Sequence, residues 1–323
     1  MRRPPAFGAT FAVISLVGLS LLASLVADAA EPPRVVASVK PLHSLVSAVM
    51  DGVAEPKLLV TGANNPHSYA MKPSDARALA EADLIFWVGD GLETFLIEPL
   101  EALAGNATVI ALKDAPRIRL LPLREGGPWE PHLDEGEEQE HGAEEGHEHE
   151  EAGYDSHIWL DPSNAKAIVN AVVAALSERD PANAPIYRAN GETVLARLDA
   201  LDREIVLLVA PVRRVPYIVF HDAYQYFEAH YRLSPVGSIT VHPERQPGAR
   251  RIKEIHERIG ELRARCVFSE PQFEPALVET VMTGTDAKRG ILDPEGADLA
   301  DGPELYFSLL RNLAASLVDC LGG

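Results

Sequence analysis

The strongest constraint on the fold is an alternation of two patterns, which occurs twice and is interrupted by one long amphipathic run. Short runs of valine, isoleucine and leucine recur between helix-like segments over residues 34–112 and again over residues 217–321. This alternation is typical of folds with a parallel sheet and disfavours an all-β sandwich. Between the two stretches, apolar residues from Tyr187 to Leu208 recur at steps of three and four, which predicts a helix reaching Val209. We therefore predict an α/β protein with two domains, each with a mostly parallel sheet flanked by helices, joined by one long rigid helix.

Four segments follow from this pattern. We assign residues 1–29 to a signal peptide, 30–180 to an N-terminal α/β domain, 181–210 to the linking helix and 211–323 to a C-terminal α/β domain. The N-terminal domain contains an acidic, histidine-rich tract at 125–153, which has few apolar residues to bury. This composition predicts a surface loop without regular structure.

The first 29 residues have the layout of a secretory signal. Two arginines precede an apolar run at 11–26, and small residues at 27 and 29 match the site that signal peptidase cleaves. An uncleaved membrane anchor is the alternative, since the run is nearly long enough to span a bilayer. No cysteine follows the run, which disfavours a lipid-anchored protein. We therefore expect an exported protein.

The negative charge is concentrated in the histidine-rich tract. Without Arg2, Arg3 and Asp28, the chain has 27 basic and 47 acidic residues, a net charge of −20. Twelve of these acids lie at 125–151, where there is no lysine or arginine, so the remainder has a net charge of −8. A chain with this charge is a poor partner for nucleic acid, and we predict no such interaction.

The two cysteines, Cys266 and Cys320, predict a disulfide. In an exported chain a cysteine pair is most simply oxidised, and here it would connect a predicted strand to the final helix. A metal-binding pair is the rival interpretation, but neither cysteine belongs to a C-x-x-C motif.

Four residues lie where ligands bind in open α/β sheets, beyond the carboxyl ends of strands. His67, His221 and Asp293 follow predicted strands, and His157 lies shortly after the long tract, just before Ile158. Two of the four come from each half, so a shared site would lie in the cleft between the domains. Asp222 and Glu270 are candidates for orienting His221 or its neighbours, and Asp222 is also a candidate helix cap.

Three neutral imidazoles with a carboxylate or a water form a suitable tetrahedral site for zinc. Nitrogen ligands favour zinc over manganese, which prefers more oxygen. Taken singly, each histidine is more often a hydrogen-bonded structural residue, and only their joint placement predicts a metal site. Three histidines with an open position also describe a catalytic zinc site, but the chain has no H-E-x-x-H motif, no Gly-x-Ser-x-Gly motif and no phosphate loop. We therefore predict a binding protein and not a hydrolase.

The histidines of the tract, His132, His141, His147 and His149, have no fixed geometry in the sequence. They predict a secondary, weaker zinc site, although ordering a flexible segment around a metal costs conformational entropy. A solvated linker without a metal role is the alternative.

Several blocks of the chain resemble the metal-specific solute-binding proteins of ABC importers. The blocks read Asn-Pro-His-Ser-Tyr at 65–69, Met-Lys-Pro-Ser-Asp at 71–75, Asp-Ser-His-Ile-Trp-Leu-Asp-Pro at 155–162 and Phe-His-Asp-Ala-Tyr-Gln-Tyr-Phe at 220–227, with further matches at 267–273 and 292–296. They occur in the family's order and span essentially the whole mature chain. The chain is most similar to the zinc branch, because it has a histidine at 221, an acidic histidine-rich loop and a cysteine pair.

The resemblance implies a zinc ion held between two domains by His67, His157 and His221. Asp293 matches the position of the family's fourth ligand, and water is the alternative. The resemblance further implies capture of Zn²⁺ in the periplasm by a monomer that delivers it to the integral-membrane permease of an ABC importer. A manganese or iron solute-binding protein of the same fold is the alternative function.

Overall fold

The computed structural model describes residues 31–124, 129, 153–240, 248–273 and 276–323. The first half of the chain forms a four-stranded parallel sheet with the order β2-β1-β3-β4. Its strands are β1 Val35–Ala37, β2 Lys57–Leu58, β3 Leu84–Trp87 and β4 Thr108–Ala111. The pairing of Val36 with both Lys57 and Ile85 places β1 inside the sheet, where its three residues are all buried. This burial explains the continuous apolar run of β1, since a central parallel strand is covered on both faces.

The first half contains four α-helices, and proline or capping residues mark the starts of two of them. They are α1 Lys40–Met50, α2 Pro73–Glu81, α3 Ile97–Leu103 and α4 Pro162–Arg179. Proline stands at the start of α2 and α4, where the missing N–H costs no helical hydrogen bond. Asp161 caps α4 by accepting a hydrogen bond from the Ser163 amide at 2.7 Å.

The second half repeats the topology of the first. Its parallel sheet has the order β6-β5-β7-β8, the same pattern as β2-β1-β3-β4, although the sequence shows no strong internal repeat. The strands are β5 Tyr217–His221, β6 Pro235–Thr240, β7 Cys266–Ser269 and β8 Lys288–Ile291. The helices are α6 Gln225–Tyr231, α7 Ala249–Glu261, α8 Ala276–Met282 and α9 Leu305–Leu321.

One long helix, α5 Ala184–Val209, joins the two halves. Its 26 residues correspond to a length of about 39 Å at the rise of an α-helix. The predicted apolar face is buried against α1, α4 and α9, which belong to both halves. Gly191 permits the close contact with α4, because a Cβ atom there would lie 2.5 Å from Cγ2 of Val173. The predicted fold of two parallel sheets joined by a long helix is confirmed.

The predicted disulfide is confirmed, with Cys266 at the start of β7 bonded to Cys320 near the end of α9. The described residues from 32 onward form one compact unit, and one large apolar cluster includes residues of α1, α4, α5 and α9. The domain boundaries at 180 and 210 stay a prediction. The signal peptide and nearly all of the histidine-rich tract lie outside the described residues. Within the described ranges, no helix is long and apolar enough to cross a membrane.

Candidate metal centre

Three segments bring histidines to one point. His67 lies in the short 3-10 helix Pro66–Ser68, where the Asn65 side chain accepts a hydrogen bond from the His67 amide at 3.0 Å. His157 immediately precedes the short helix that leads into α4. His221 is the last residue of β5. The histidines therefore reach the site from a loop after β2, from the segment that follows the tract and from a strand end, as the sequence predicted.

The ligand nitrogens of His67, His157 and His221 all lie within 4.8 Å of one another. The Nε2 atoms of His67 and His157 are 3.4 Å apart. Two nitrogens bound to one tetrahedral zinc at 2.0–2.1 Å would be separated by about 3.4 Å, so this pair already has the spacing that the ion requires. The ring centroids of the three imidazoles lie 4.9 to 5.4 Å apart. The structure thus assembles the three predicted nitrogen ligands, and their donor set fits zinc.

Asp155 orients His157. Its Oδ1 accepts a hydrogen bond from the His157 amide at 2.9 Å and lies 2.7 Å from Nδ1 of the same residue. The proton of the neutral imidazole therefore belongs on Nδ1, which leaves the Nε2 lone pair facing His67. Burial and the neighbouring His221 hold the pKa of His157 well below its usual value. Burial likewise raises the pKa of Asp155 to about 7, against the opposing effect of the His157 amide.

Glu270 has the corresponding position beside His221. Its Oε1 lies 3.4 Å from Nδ1 of His221, and both side chains are buried. Burial by itself lowers the pKa of His221, but the negative charges of Glu270, Asp222 and Asp155 outweigh it, so the net shift is upward. Asp222, the other candidate partner of His221, forms its ion pair with Arg124 instead. Glu270 is therefore the carboxylate that faces His221.

The histidines line a small cavity with room for about one water-sized sphere, its volume being about 10 Å³. Besides the three imidazoles, the wall contains Asn65, Pro66, Glu270, Gln272, Phe273, Pro294 and Glu295. A cavity of this size suits a single ion and its remaining ligand. It is too small for an organic substrate, which usually occupies several hundred Å³.

The structure does not bring Asp293 into the histidine cluster. Its Oδ1 accepts hydrogen bonds from the amides of Glu295 and Gly296 and from the Gln272 side chain, and its Oδ2 accepts from the Ala297 amide. Among the described residues, the group with metal-binding geometry consists of the three histidines. Both oxygens of Asp293 therefore already accept hydrogen bonds from its own loop and from Gln272.

Two carboxylates near the cavity were not predicted from the sequence. Asp155 stands two residues before His157, and this Asp-x-His spacing is the signal that could have identified it as the partner of Nδ1. Glu295 lies in the cavity wall next to Pro294, and its burial raises its pKa well above the usual value. The sequence signal that could have identified Glu295 is its position directly after Asp293 and Pro294.

The remaining histidines divide into two groups. His132, His141, His147, His149 and His242 lie outside the described residues, so the predicted metal role of the first four stays a prediction. Elsewhere, His43 and His256 lie 3.0 Å from the carbonyls of Pro56 and Val281, and His230 pairs with Asp161 and Asp202. These three histidines have structural partners.

A family model described as zinc-uptake complex component A, periplasmic, matches residues 35–320. The chain belongs to the ZnuA family. This family comprises solute-binding components of zinc uptake systems, so the chain is a zinc-binding solute-binding protein and not an enzyme. The predicted resemblance is confirmed.

Individual ZnuA proteins agree with this assignment over most of their length. The high-affinity zinc uptake system protein ZnuA of Brucella abortus (strain 2308) is 52% identical over 317 residues, which cover 91% of this chain and 93% of that protein. A crystal structure of ZnuA has a TM-score of 0.73 at 26% identity and covers 90% of this chain and 99% of its own. A zinc-bound ZnuA deletion mutant has a TM-score of 0.71 at 26% identity, with coverage of 90% and 98%.

Proposed function

We propose that this protein captures Zn²⁺ with high affinity in the periplasm and delivers it to the membrane permease of an ABC importer. The observation that carries the proposal is the cluster of His67, His157 and His221, whose ligand nitrogens lie within 4.8 Å of one another. Membership of the ZnuA family supports zinc as the ion and an importer as the partner. Export through a cleaved signal at residues 1–29 and a monomeric state belong to the same proposal.

Zinc capture requires three neutral imidazoles. Two of the three have a carboxylate beside the ring nitrogen that does not face the ion. Asp155 fixes the tautomer of His157, while Glu270 faces the outer nitrogen of His221. Carboxylates in these positions also raise the basicity of the ligating nitrogen, which strengthens its bond to the ion. The bound zinc completes a site that His67 from the first half shares with His221 from the second.

The fourth ligand is water or Asp293. Water is the simpler fourth ligand, because zinc sites with three protein ligands commonly hold water in the fourth position. Asp293 lies outside the group of histidines with metal-binding geometry and would have to move to bind the ion, together with the loop amides that donate to it. Replacing Asp293 with asparagine distinguishes the two: a zinc affinity that stays near the wild-type value supports water, and a loss of tenfold or more supports Asp293.

The decisive experiment measures metal binding by the purified metal-free protein. Competition against a chromophoric chelator should give one tight zinc site, and manganese should compete poorly at equal concentration because the ligands are nitrogens. A preference for manganese over zinc would refute the zinc assignment. Delivery is tested separately, by zinc uptake into vesicles containing the permease, where omission of this protein should abolish uptake at low zinc concentration.

We also propose that the tract histidines His132, His141, His147 and His149 form a secondary site of lower affinity. Their mixture of imidazoles and carboxylates is suited to gather zinc weakly. Deletion of residues 130–151 should lower the zinc stoichiometry in a calorimetric titration while the tight site remains. An unchanged stoichiometry would favour a solvated linker.

A further inference from the structure

The loop at residues 293–301, between β8 and α9, forms part of the cavity wall although it contributes none of the three histidines. Pro294 and Glu295 line the cavity. The loop is tightly folded, since the carboxylate of Asp293 accepts hydrogen bonds from the amides of residues 295–297. Gly296 has a φ of +74°, a conformation that favours glycine, and packs closely against Leu299 and Leu305. The loop is therefore a compact unit whose position depends on what holds its outer atoms.

Two side chains from the first half of the chain hold this loop by its backbone carbonyls. The Lys40 ammonium donates to the carbonyls of Ala297 and Leu299, at 3.1 and 2.8 Å. The Trp159 indole donates to the carbonyl of Pro294 at 2.9 Å. Each contact joins parts of the chain that are more than 130 residues apart. The wall of the cavity that belongs to the second half is thus anchored to the first half.

Lys40 is an unusual residue for this position. It begins α1 just beyond the carboxyl end of β1, and its side chain is only 4% exposed. Lysine is rarely buried to this degree unless its charge is paired. Its one ion-pair partner among the described residues is Asp301, at 3.3 Å, and that carboxylate is half exposed. The buried charge is therefore directed mainly at the loop carbonyls.

We propose that Lys40 is a positioning residue that retains the bound ion by anchoring loop 293–301 across the two halves. The inference rests on the proposed zinc function and adds to it a control of ion release by a residue that binds no metal. With the anchor in place, Pro294 and Glu295 close one side of the cavity. Without it, the loop carbonyls lose their cationic donor, the wall opens more often, and the ion leaves faster. The three histidines are unaffected, so one zinc ion still binds.

Lys40→Met tests the inference, since methionine keeps much of the side-chain volume and removes the donor. Trp159→Phe removes the second anchor and provides an independent variant should Lys40→Met fail to fold. The matched control is Tyr187→Phe, which removes a buried 2.8 Å hydrogen bond to Asp180 at the start of α5. Two measurements apply to all variants. Amide hydrogen exchange of residues 293–301 is followed in the metal-free protein, and zinc release into excess chelator is followed in the loaded protein.

In Lys40→Met, we expect faster exchange of the loop amides and zinc release accelerated roughly ten- to a hundredfold, the factor that corresponds to the loss of one hydrogen bond from a charged donor. Tyr187→Phe should leave both loop exchange and release at wild-type values. Unchanged loop exchange or unchanged release in Lys40→Met would overturn the inference, as would equal acceleration in Tyr187→Phe. Wild-type protein that fails to retain zinc would refute the proposed function itself, whereas retention by both wild type and Lys40→Met would refute only the anchoring role.

Discussion

Asp155 offers the sharpest test of how the metal centre is built, because its effects on zinc affinity and on folding have opposite signs. The carboxylate holds Nδ1 of His157 at 2.7 Å and is 2% exposed. Asp155→Asn keeps an oxygen that can accept from Nδ1 but removes the negative charge. Asp155→Ala removes both the charge and the acceptor, so the His157 ring loses its orientation.

The expected loss of zinc affinity is about tenfold for Asp155→Asn and about a hundredfold for Asp155→Ala, the range known for partners of ligating histidines. These factors correspond to about 1.4 and about 2.7 kcal/mol. The metal-free protein should respond differently. The pKa of Asp155 is raised to about 7 from its usual 3.8, chiefly by burial, so the ionised carboxylate opposes folding. Its contribution to stability is largest below about pH 4 and is lost as the pH rises to about 7.

Asp155→Asn should therefore make the metal-free protein at least as stable as the wild type at pH 8 while it weakens zinc binding. Chelator competition gives the affinity, and urea unfolding of the metal-free proteins gives the free energy of unfolding. The reasoning fails if both variants bind zinc as tightly as the wild type. It fails equally if Asp155→Asn loses stability in proportion to its loss of affinity, since the carboxylate would then be a structural group alone.

Three further predictions concern other parts of the molecule. His221→Ala should abolish tight zinc binding in a competition titration, whereas substitution of any single tract histidine should leave it intact; the reverse order would contradict the assignment of the site. The net pKa shift of His221 is upward, against the effect of burial. Protons should therefore begin to compete with zinc at a pH above the usual histidine pKa, and the zinc affinity should fall as the pH drops towards 6. In Glu270→Gln this decline should begin at a lower pH, and full wild-type affinity at pH 5 would exclude a three-histidine site. Reduction of the Cys266–Cys320 disulfide, which spans 54 residues, should lower the free energy of unfolding by about 4 kcal/mol, measured by urea titration with and without reductant. A change in stability below about 1 kcal/mol would show that the reduced unfolded chain remains compact.

The elements with strong periodicity were predictable because their causes are local. The apolar face of α5 from Tyr187 to Val209 is visible in the spacing of its residues, and the observed helix Ala184–Val209 lies within the predicted segment 181–210. The start of α6 at Gln225 does not follow from periodicity. Just before it, the Ala223 amide donates a hydrogen bond to the carbonyl of His221 and makes a tight turn.

The cluster of three histidines was also predictable, although its members are far apart in sequence. Parallel strands place their carboxyl ends at one edge of a sheet, so residues that follow such strands meet in a cleft. The family blocks at 65–75, 155–162 and 220–227 added zinc to this placement. Strand order and residue chemistry therefore predicted the candidate residues, and the resemblance to the family implied that the three histidines hold zinc.

The sequence by itself determined the two α/β halves, the joining helix, the cysteine pair and the three candidate histidines, since periodicity and side-chain chemistry can be read along the chain. Only the tertiary structure decided which polar partners these groups have. It turned the carboxylate of Asp293 towards the backbone amides of its own loop, placed Asp155 behind His157 and set Lys40 across the cleft on loop 293–301. The physical reason is that a buried hydrogen-bonding group takes whichever partner the packed fold brings within about 3 Å, and sequence distance carries little information about that choice.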